Sequence, residues 1–386
     1  MKISAFWIIL LFAGFIYGME FSGFADTYFS AYTEGKFETA VNYQRIRGNF
    51  YSDFDNSFLF VSLNGKIDNI SGENKLNFHE LYLDYADNFF NIRFGKQLTV
   101  WGNADGVRIT DLVCPSDLNE LTAQEFDDIR KPLNLARLKS NLGFADLELI
   151  WIPLYEGDEF PRKSNPYRFE FPVSDSLIEM YKPDNSLENG EVAGKLSFFY
   201  SYFDFSFSWL NVWNDFPVFI ISDNGAVPYY YRSNIVGAEI SKPVKSSVIR
   251  LETATFFDHY FNGFQETPKH KTKAMLGWDY YPGNTLNLSV QYINEKIWDY
   301  EDFIAEKEEM RTGTFNIKVM LFRETLQLGN MIYYSFDEED LVNNFSVDYA
   351  FNDNISFLTG FNYFNVNNGS VLNKKSQIWV KSKVSF

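Results

Sequence analysis

The densest set of chemically capable side chains lies between residues 99 and 132. This stretch carries Asp105, Asp111, Asp117, Glu120, Glu125, Asp127 and Asp128 against Arg108, Arg130 and Lys131. A connection this long in a compact structure is functional or disordered, and its Trp, Ile, Leu and Val content argues against disorder. Carboxylates facing guanidiniums across a narrow aqueous path would create a transverse field that sorts polar solutes by charge and orientation. That chemistry would fall to Arg108, Asp111, Asp127, Asp128 and Arg130, with Arg137 on the adjoining wall. The same residues equally suit a salt-bridged structural cap that merely closes the loop. Asp105, Asp111 and Asp117 recur every six residues. Calcium takes oxygen ligands at close spacing, but the loop pattern ending in a bidentate glutamate is missing, so a metal at these three is the lesser reading. No cofactor is implied.

Catalysis finds little to work with. The three histidines, His79, His259 and His270, show no metal-ligand spacing. Asp258 and His259 are adjacent, and adjacent side chains on an extended chain point apart. No serine sits in a recognisable nucleophile context. The stretches 154–190 and 297–310 are acidic on balance and read first as solvated loop faces, with cation attraction as the functional alternative.

The elements that must position these groups are strands. After residue 19 the dominant pattern has period two. Phe203, Phe205, Phe207 and Trp209 alternate with Asp204, Ser206 and Ser208, and Leu286, Leu288, Val290 and Tyr292 alternate with Asn287, Ser289 and Gln291. Phe345, Val347 and Tyr349 alternate with Ser346 and Asp348. Strands are expected at 21–32, 37–46, 57–66, 75–86, 89–98, 133–141, 145–153, 191–201, 203–213, 230–241, 246–257, 270–281, 285–296, 311–322, 325–336, 341–351, 355–364 and 376–386. Most have the ~9–11 residues that cross a bilayer at a tilt. Mostly short connections (87–88, 142–144, 202, 242–245, 282–284, 323–324, 352–354) alternate with mostly long ones (99–132, 154–190, 214–229, 258–269, 297–310, 365–375). Short periplasmic turns and long extracellular loops are the asymmetry of an outer-membrane barrel. The expectation is an all-β fold, a transmembrane antiparallel β-barrel of about 18 strands, with 16 as the alternative.

One hairpin can be registered from sequence. A two-residue turn at Leu142-Gly143 pairs Leu138 with Leu147 and Ala136 with Leu149 outward, and Lys139 with Asp146 and Arg137 with Glu148 inward. Tyr229, Tyr230, Tyr231, Trp209 and Trp213 near strand ends read as an interfacial girdle. At the C-terminus Ile378, Val380, Val384 and Phe386 share a face, with Ser382 as the exception. A terminal aromatic on an alternating strand looks like the signal read by the barrel assembly machinery, so that machinery and outer-membrane lipid are expected partners.

Composition agrees with this. Aromatics make up 19% of the 386 residues, with 41 Phe and 24 Tyr, more than one soluble core holds with ease. Residues 1–18 read as a signal peptide: Lys2, an apolar run from Ala5 to Tyr17 too short to span a bilayer as a helix, and Gly18 at the cleavage point. Residues 19–386 would be the barrel, with loop 99–132 as a lumen constriction or plug. The formal net charge of −17 excludes nucleic acid as a natural partner. The single cysteine, Cys114, rules out an intrachain disulfide framework and reads as a partly buried small residue.

From Lys75 to Pro161 the chain resembles an uncharacterised family of Gram-negative outer-membrane proteins known only as a domain of unknown function. The residues that carry the resemblance are Glu80-Leu81-Tyr82-Leu83-Asp84, Gly95-Lys96-Gln97, Trp101-Gly102, Ala104-Asp105-Gly106-Val107-Arg108 and Thr110-Asp111. Pro115, Asp117-Leu118, Asp127-Asp128-Ile129-Arg130, Pro132 and Trp151-Ile152-Pro153 continue it. The Gly-Lys-Gln strand and long loop are also distantly similar to carbohydrate and alginate-export porins. The resemblance covers under a quarter of the chain and implies an outer-membrane barrel without naming a substrate. The function expected is a porin-like channel or transporter for a small solute in the cell outer membrane. The alternatives are a surface-binding barrel that displays long loops and, third, an outer-membrane hydrolase. If loop 99–132 lies in the lumen, transport is favoured; if it projects outward, adhesion.

Overall fold

The computed structural model describes residues 20–72, 74–120, 126–161, 164–264 and 267–386; of Glu120, Phe126 and Asp127 only the backbone is described. The signal-peptide reading of residues 1–18 lies outside these residues. Twenty strands form. In order they are β1 (Glu20–Tyr32), β2 (Thr39–Phe54), β3 (Ser57–Asp68), β4 (Asn74–Ala86), β5 (Phe90–Gln97), β6 (Leu133–Asn141) and β7 (Asp146–Ile152). Then come β8 (Glu191–Tyr200), β9 (Phe203–Trp213), β10 (Val218–Ser222), β11 (Gly225–Tyr229), β12 (Arg232–Val244), β13 (Ser247–His259) and β14 (Lys269–Tyr280). The last are β15 (Leu286–Ile297), β16 (Glu309–Leu321), β17 (Leu326–Ser335), β18 (Leu341–Ala350), β19 (Ile355–Asn365) and β20 (Gln377–Ser385).

Eighteen of these close into one antiparallel barrel, with β10 and β11 forming a separate hairpin outside it. Closure comes from β1 pairing with both β2 and β20, and β9 with β12. The backbone of Phe386 also exchanges hydrogen bonds with Gly23. Among the described residues the barrel itself leaves no edge strand to template aggregation. The count of 18 agrees with the periodicity; the 16-strand alternative falls.

The exterior explains the aromatic excess. Phe207, Trp209, Val236, Leu251, Leu276, Trp278, Tyr292, Phe345 and Tyr349 are all exposed and lie at alternate positions of their strands. Their strand neighbours Ser206, Ser208, Glu239, Glu252, Ser289 and Gln291 point inward and are buried. An apolar exterior over a polar interior is stable only in lipid, so the barrel spans a membrane. None of the described helices is long and apolar enough to cross a membrane.

Two local expectations need correction. The second strand does not end at residue 46 but continues to Phe54, where Asp55 (φ 49°) and Asn56 turn the chain. The 142–144 turn is four residues long, Leu142 to Ala145. The Leu142 N–H donates to the Ala145 carbonyl, Gly143 sits at φ 84°, and its N–H donates to Asn141 Oδ1 at 2.9 Å. The register therefore moves by two: Leu138 faces Leu149, Lys139 faces Glu148, and Arg137 faces Ile150. An even shift keeps every side chain on its face, but neither expected charge pair forms; Lys139 pairs with Glu148 instead, at 3.2 Å.

Candidate functional site: a loop held across the lumen

The connection between β5 and β6, residues 98–132, turns inward and meets the wall on several sides. Trp101 Nε1 donates to Glu148 of β7 at 3.3 Å. The Thr110 hydroxyl lies 3.0 Å from Glu239 of β12 and 3.1 Å from Glu252 of β13. Glu252 also accepts from the Asn103 backbone N–H. Arg250 of β13 donates to the Asn103 carbonyl and to Asp105 at 2.9 Å, and holds Asp279 of β14 at 2.6 Å. Ser289 of β15 completes this anchor with a 2.9 Å bond to Asp105. At Gly106 (φ 69°) the chain passes so close to the Tyr333 hydroxyl of β17 that a Cβ would collide with it. On the opposite side Asp128 bridges Arg45 and Arg47 of β2 at 2.8 and 3.2 Å. Arg45 also pairs with Asp26 of β1 at 2.7 Å, and Lys381 of β20 reaches the same carboxylate at 3.3 Å. Burial acts to push the Asp128 carboxyl up, but the two guanidiniums outweigh it and hold it below its ordinary value.

Polar ties are only half of the attachment. Trp101, Ile109 and Val113 from the loop pack with Leu133, Leu135, Ile150, Ile152, Ala193, Leu210, Val212, Ile235, Ala254, Phe256, Met275 and Ile293. The wall residues of this core lie on β6–β9 and β12–β15 and face inward. That arc of the wall therefore carries an apolar layer beside the polar groups that tie the loop. Burying Trp101 and Ile109, 3% and 0% exposed, contributes about 1.5–3 kcal/mol for a side chain such as Ile109. The loop is a packed element. The signal in the sequence was a break in the alternation near the ends of these strands, as at Trp209-Leu210 of β9 and Tyr292-Ile293 of β15.

Of the residues singled out from sequence, Arg108, Asp111 and Arg130 come together. Arg130 pairs with Asp111 at 2.7 Å; Arg108 donates to the Asp111 carbonyl at 2.7 Å, to Ser116 Oγ at 2.9 Å and to the Cys114 carbonyl. This is an intraloop brace, closer to the structural-cap alternative than to opposed walls of a path. Asp128 works on the β2 wall instead. The Asp127 side chain lies outside the described residues, as do those of Glu120 and Glu125. Arg137 faces inward opposite Arg93, beside the ion pairs Arg93–Asp84 (2.7 Å) and Lys139–Glu148 (3.2 Å). The calcium reading fails on geometry. Asp105 goes to Arg250, Asp111 to Arg130, and Asp117 to Asn119 at 2.9 Å. No three acidic, His or Cys groups among the described residues could hold a metal ion. Sequence reasoning missed Arg45, Arg47, Arg250 and Glu252, whose roles depend on which strands face the loop.

Cys114 is fully buried beneath the Thr99 N–H (3.3 Å), and burial pushes its thiol up to about 11. His259 has its ring within 2.8 Å of the Tyr231 hydroxyl, so the Asp258-His259 sequence forms no dyad. Tyr230 and Trp213 are not girdle residues. They join Tyr155, Phe160, Phe171, Ile178, Phe216 and Phe219 in an aromatic core shared by the outer loops. Trp209 alone of the expected group is an exposed outward residue of a barrel strand. The loops 98–132 and 153–190 are stitched together: the Ser116 N–H donates to Asp158 Oδ1 at 2.6 Å, and the Leu118 N–H to the Glu159 carbonyl at 2.9 Å.

A cavity remains beside the loop. It has a volume of about 520 Å³ and runs between Ala104–Gly106 and Ile129 on one side and the inner faces of β16–β19 on the other.

No family model matches the chain, so the resemblance over Lys75–Pro161 finds no counterpart there. No curated protein matches either. Solved structures do resemble it. OccK8 (OprE) of Pseudomonas aeruginosa superposes with a TM-score of 0.59 at 10% identity, over 96% of this chain and 98% of that one. OccAB4 of Acinetobacter baumannii gives 0.57 at 9% identity, over 96% and 98%. The outer membrane channel DcaP of Acinetobacter baumannii gives 0.50 at 11% identity, over 95% and 97%. At these identities the likeness shows the barrel fold alone.

Proposed function

We propose that the protein is a porin-like channel of the cell outer membrane that passes small polar solutes. Loop 98–132 is its constriction. The observation that carries this reading is a loop fastened to inward-facing residues of β2, β7, β12, β13 and β15 that still leaves a 520 Å³ passage along β16–β19. A barrel built only to display loops would not fold this connection back onto its own inner wall. DcaP, similar in architecture, is an outer membrane channel by name. Lipid contacts the aromatic exterior. Phe386, whose ring stacks on Phe21 with centroids 5.4 Å apart, offers the barrel assembly machinery its terminal aromatic.

Single-channel recording on the refolded protein, with and without residues 103–128, tests the proposal. Discrete steps that enlarge and lose ion selectivity on deletion are expected. A protein shown to be folded in the bilayer that conducts in neither form refutes it.

A further inference from the structure

The passage along β16–β19 differs in chemistry from the rest of the lumen. Arg45, Arg47, Asp128, Arg250, Glu252 and Asp279 are tied up on other arcs of the wall. The inward side chains along the passage are mainly amides and a hydroxyl: Asn316, Gln327, Asn344, Asn362 and Ser346. Between them Met331, Tyr333, Val342 and Phe364 present apolar faces. Amides both donate and accept hydrogen bonds, so they can replace hydration water around hydroxyl or amide groups in any orientation. Asn344 Oδ1 has no hydrogen-bond partner among the described residues. Among the described residues two charged side chains line the passage. Asp105 shares Arg250 with Asp279, at 2.9 and 2.6 Å, so the trio keeps one net negative charge. Lys318 is exposed to the lumen and has no ion-pair partner among the described residues.

The outer loop 153–190 is acidic on balance. A cavity of about 790 Å³ in loop 153–190 is lined by Glu156, Asp158, Glu159, Asp175, Glu179 and Asp184 against Lys131, Arg168 and Lys182. The whole chain carries a formal charge of −17. An anion is opposed by the acidic outer loops and by the Asp105–Arg250–Asp279 trio, and a cation by Lys318. We infer that the passage admits uncharged, hydroxyl- or amide-bearing small molecules in preference to ions of either sign. This rests on the channel reading above and names its solute class. In water-like surroundings a unit charge about 5 Å from Lys318 is disfavoured by roughly fourfold in rate.

Osmotic swelling of liposomes carrying the native protein tests this with three size-matched probes: glucose, gluconate and glucosamine. Glucose is expected to pass roughly fourfold faster than glucosamine, and faster than gluconate. In Lys318→Met, glucosamine should approach glucose while the glucose rate holds. Asn344→Leu should slow glucose without altering the order of the two ions. Gluconate or glucosamine matching glucose in the native protein overturns the inference while leaving a channel in place. If none of the three passes through folded protein, the channel reading falls with it.

Discussion

Arg250 fastens the tip of the constriction to the wall, and replacing it by methionine separates the two. Its guanidinium, 10% exposed, serves the Asn103 carbonyl, Asp105, Asp279 and Ser289 at once. Each hydrogen bond to a charged group contributes ~1.5–3 kcal/mol, so loss of the two bonds to the tip weakens its docking by about 3–6 kcal/mol. The lower figure already shifts the docked population by about a hundredfold. Arg250→Met also strands Asp279, whose side chain is 4% exposed, at a further cost of about 3–5 kcal/mol to the barrel. The double variant Arg250→Met/Asp279→Asn removes the stranded charge and isolates the effect on the tip. In planar bilayers both variants should show larger and noisier unit steps than native protein, and the double variant should recover most of the native thermal midpoint. The loop body, packed through Trp101, Ile109 and Val113, should stay in place. Unit steps of native size in a folded double variant would refute the anchoring role.

Three further outcomes follow from the same geometry. Leu276→Arg on the outer face of β14, where Leu276 is exposed, should destabilise the barrel by about 2–4 kcal/mol in reversible folding into vesicles; a cost near zero would mean that this face does not meet lipid. Cys114, buried with its thiol raised to about 11, should resist maleimide at neutral pH in native protein and in Arg250→Met, and react only after denaturation; fast labelling of native protein would show that the loop core opens. Burial raises the carboxyls of Asp158 and Asp215 at the loop junction, and Asp158 raises Asp215 further. The folded state therefore binds protons more tightly than the unfolded one. The junction is most stable below the ordinary carboxylate range and loses that stability as pH rises through the raised native values. Asp215→Asn should make the outer loops more protease-resistant than native at pH 8 and nearly equal at pH 4; equal digestion at pH 8 would contradict this.

The fold was legible where one strand face meets lipid and the other is polar. β9 and β15 announce themselves because Phe207 and Trp209 alternate with serines, and Val290 and Tyr292 with Ser289 and Gln291. The lower half of β2 did not. There the inward residues of β2–β4 are also aromatic, with Tyr51 and Phe60 centroids 5.2 Å apart and Phe60 and Tyr82 5.1 Å apart, while Leu59, Val61 and Leu83 occupy the alternate positions. Two apolar faces erase the dyad. The candidate site was half legible. Charge density marked the loop, and Arg108, Asp111 and Arg130 do meet. Their grouping as a brace depends on the local fold of residues 108–130. The roles of Arg45 and Arg250 depend on long-range topology that no local pattern encodes. The hairpin at residue 142 was misregistered because a two-residue and a four-residue turn satisfy both faces equally well.

The ring of strands has a consequence for assembly. Each barrel strand lies beside the barrel strands before and after it in sequence, with the β10–β11 hairpin set aside between β9 and β12, and the ring closes at the seam where β1 meets β20. Almost all contacts therefore form between neighbours along the chain, and one late zippering event completes the cylinder. Loop-closure entropy grows only slowly with length, so sealing this seam across the whole chain carries a modest penalty. The seam is also interchangeable in principle. A circularly permuted chain, with a short linker from Phe386 to Glu20 and a new break in the turn at Lys245-Ser246, would keep every strand pairing and merely relocate the last bond to form.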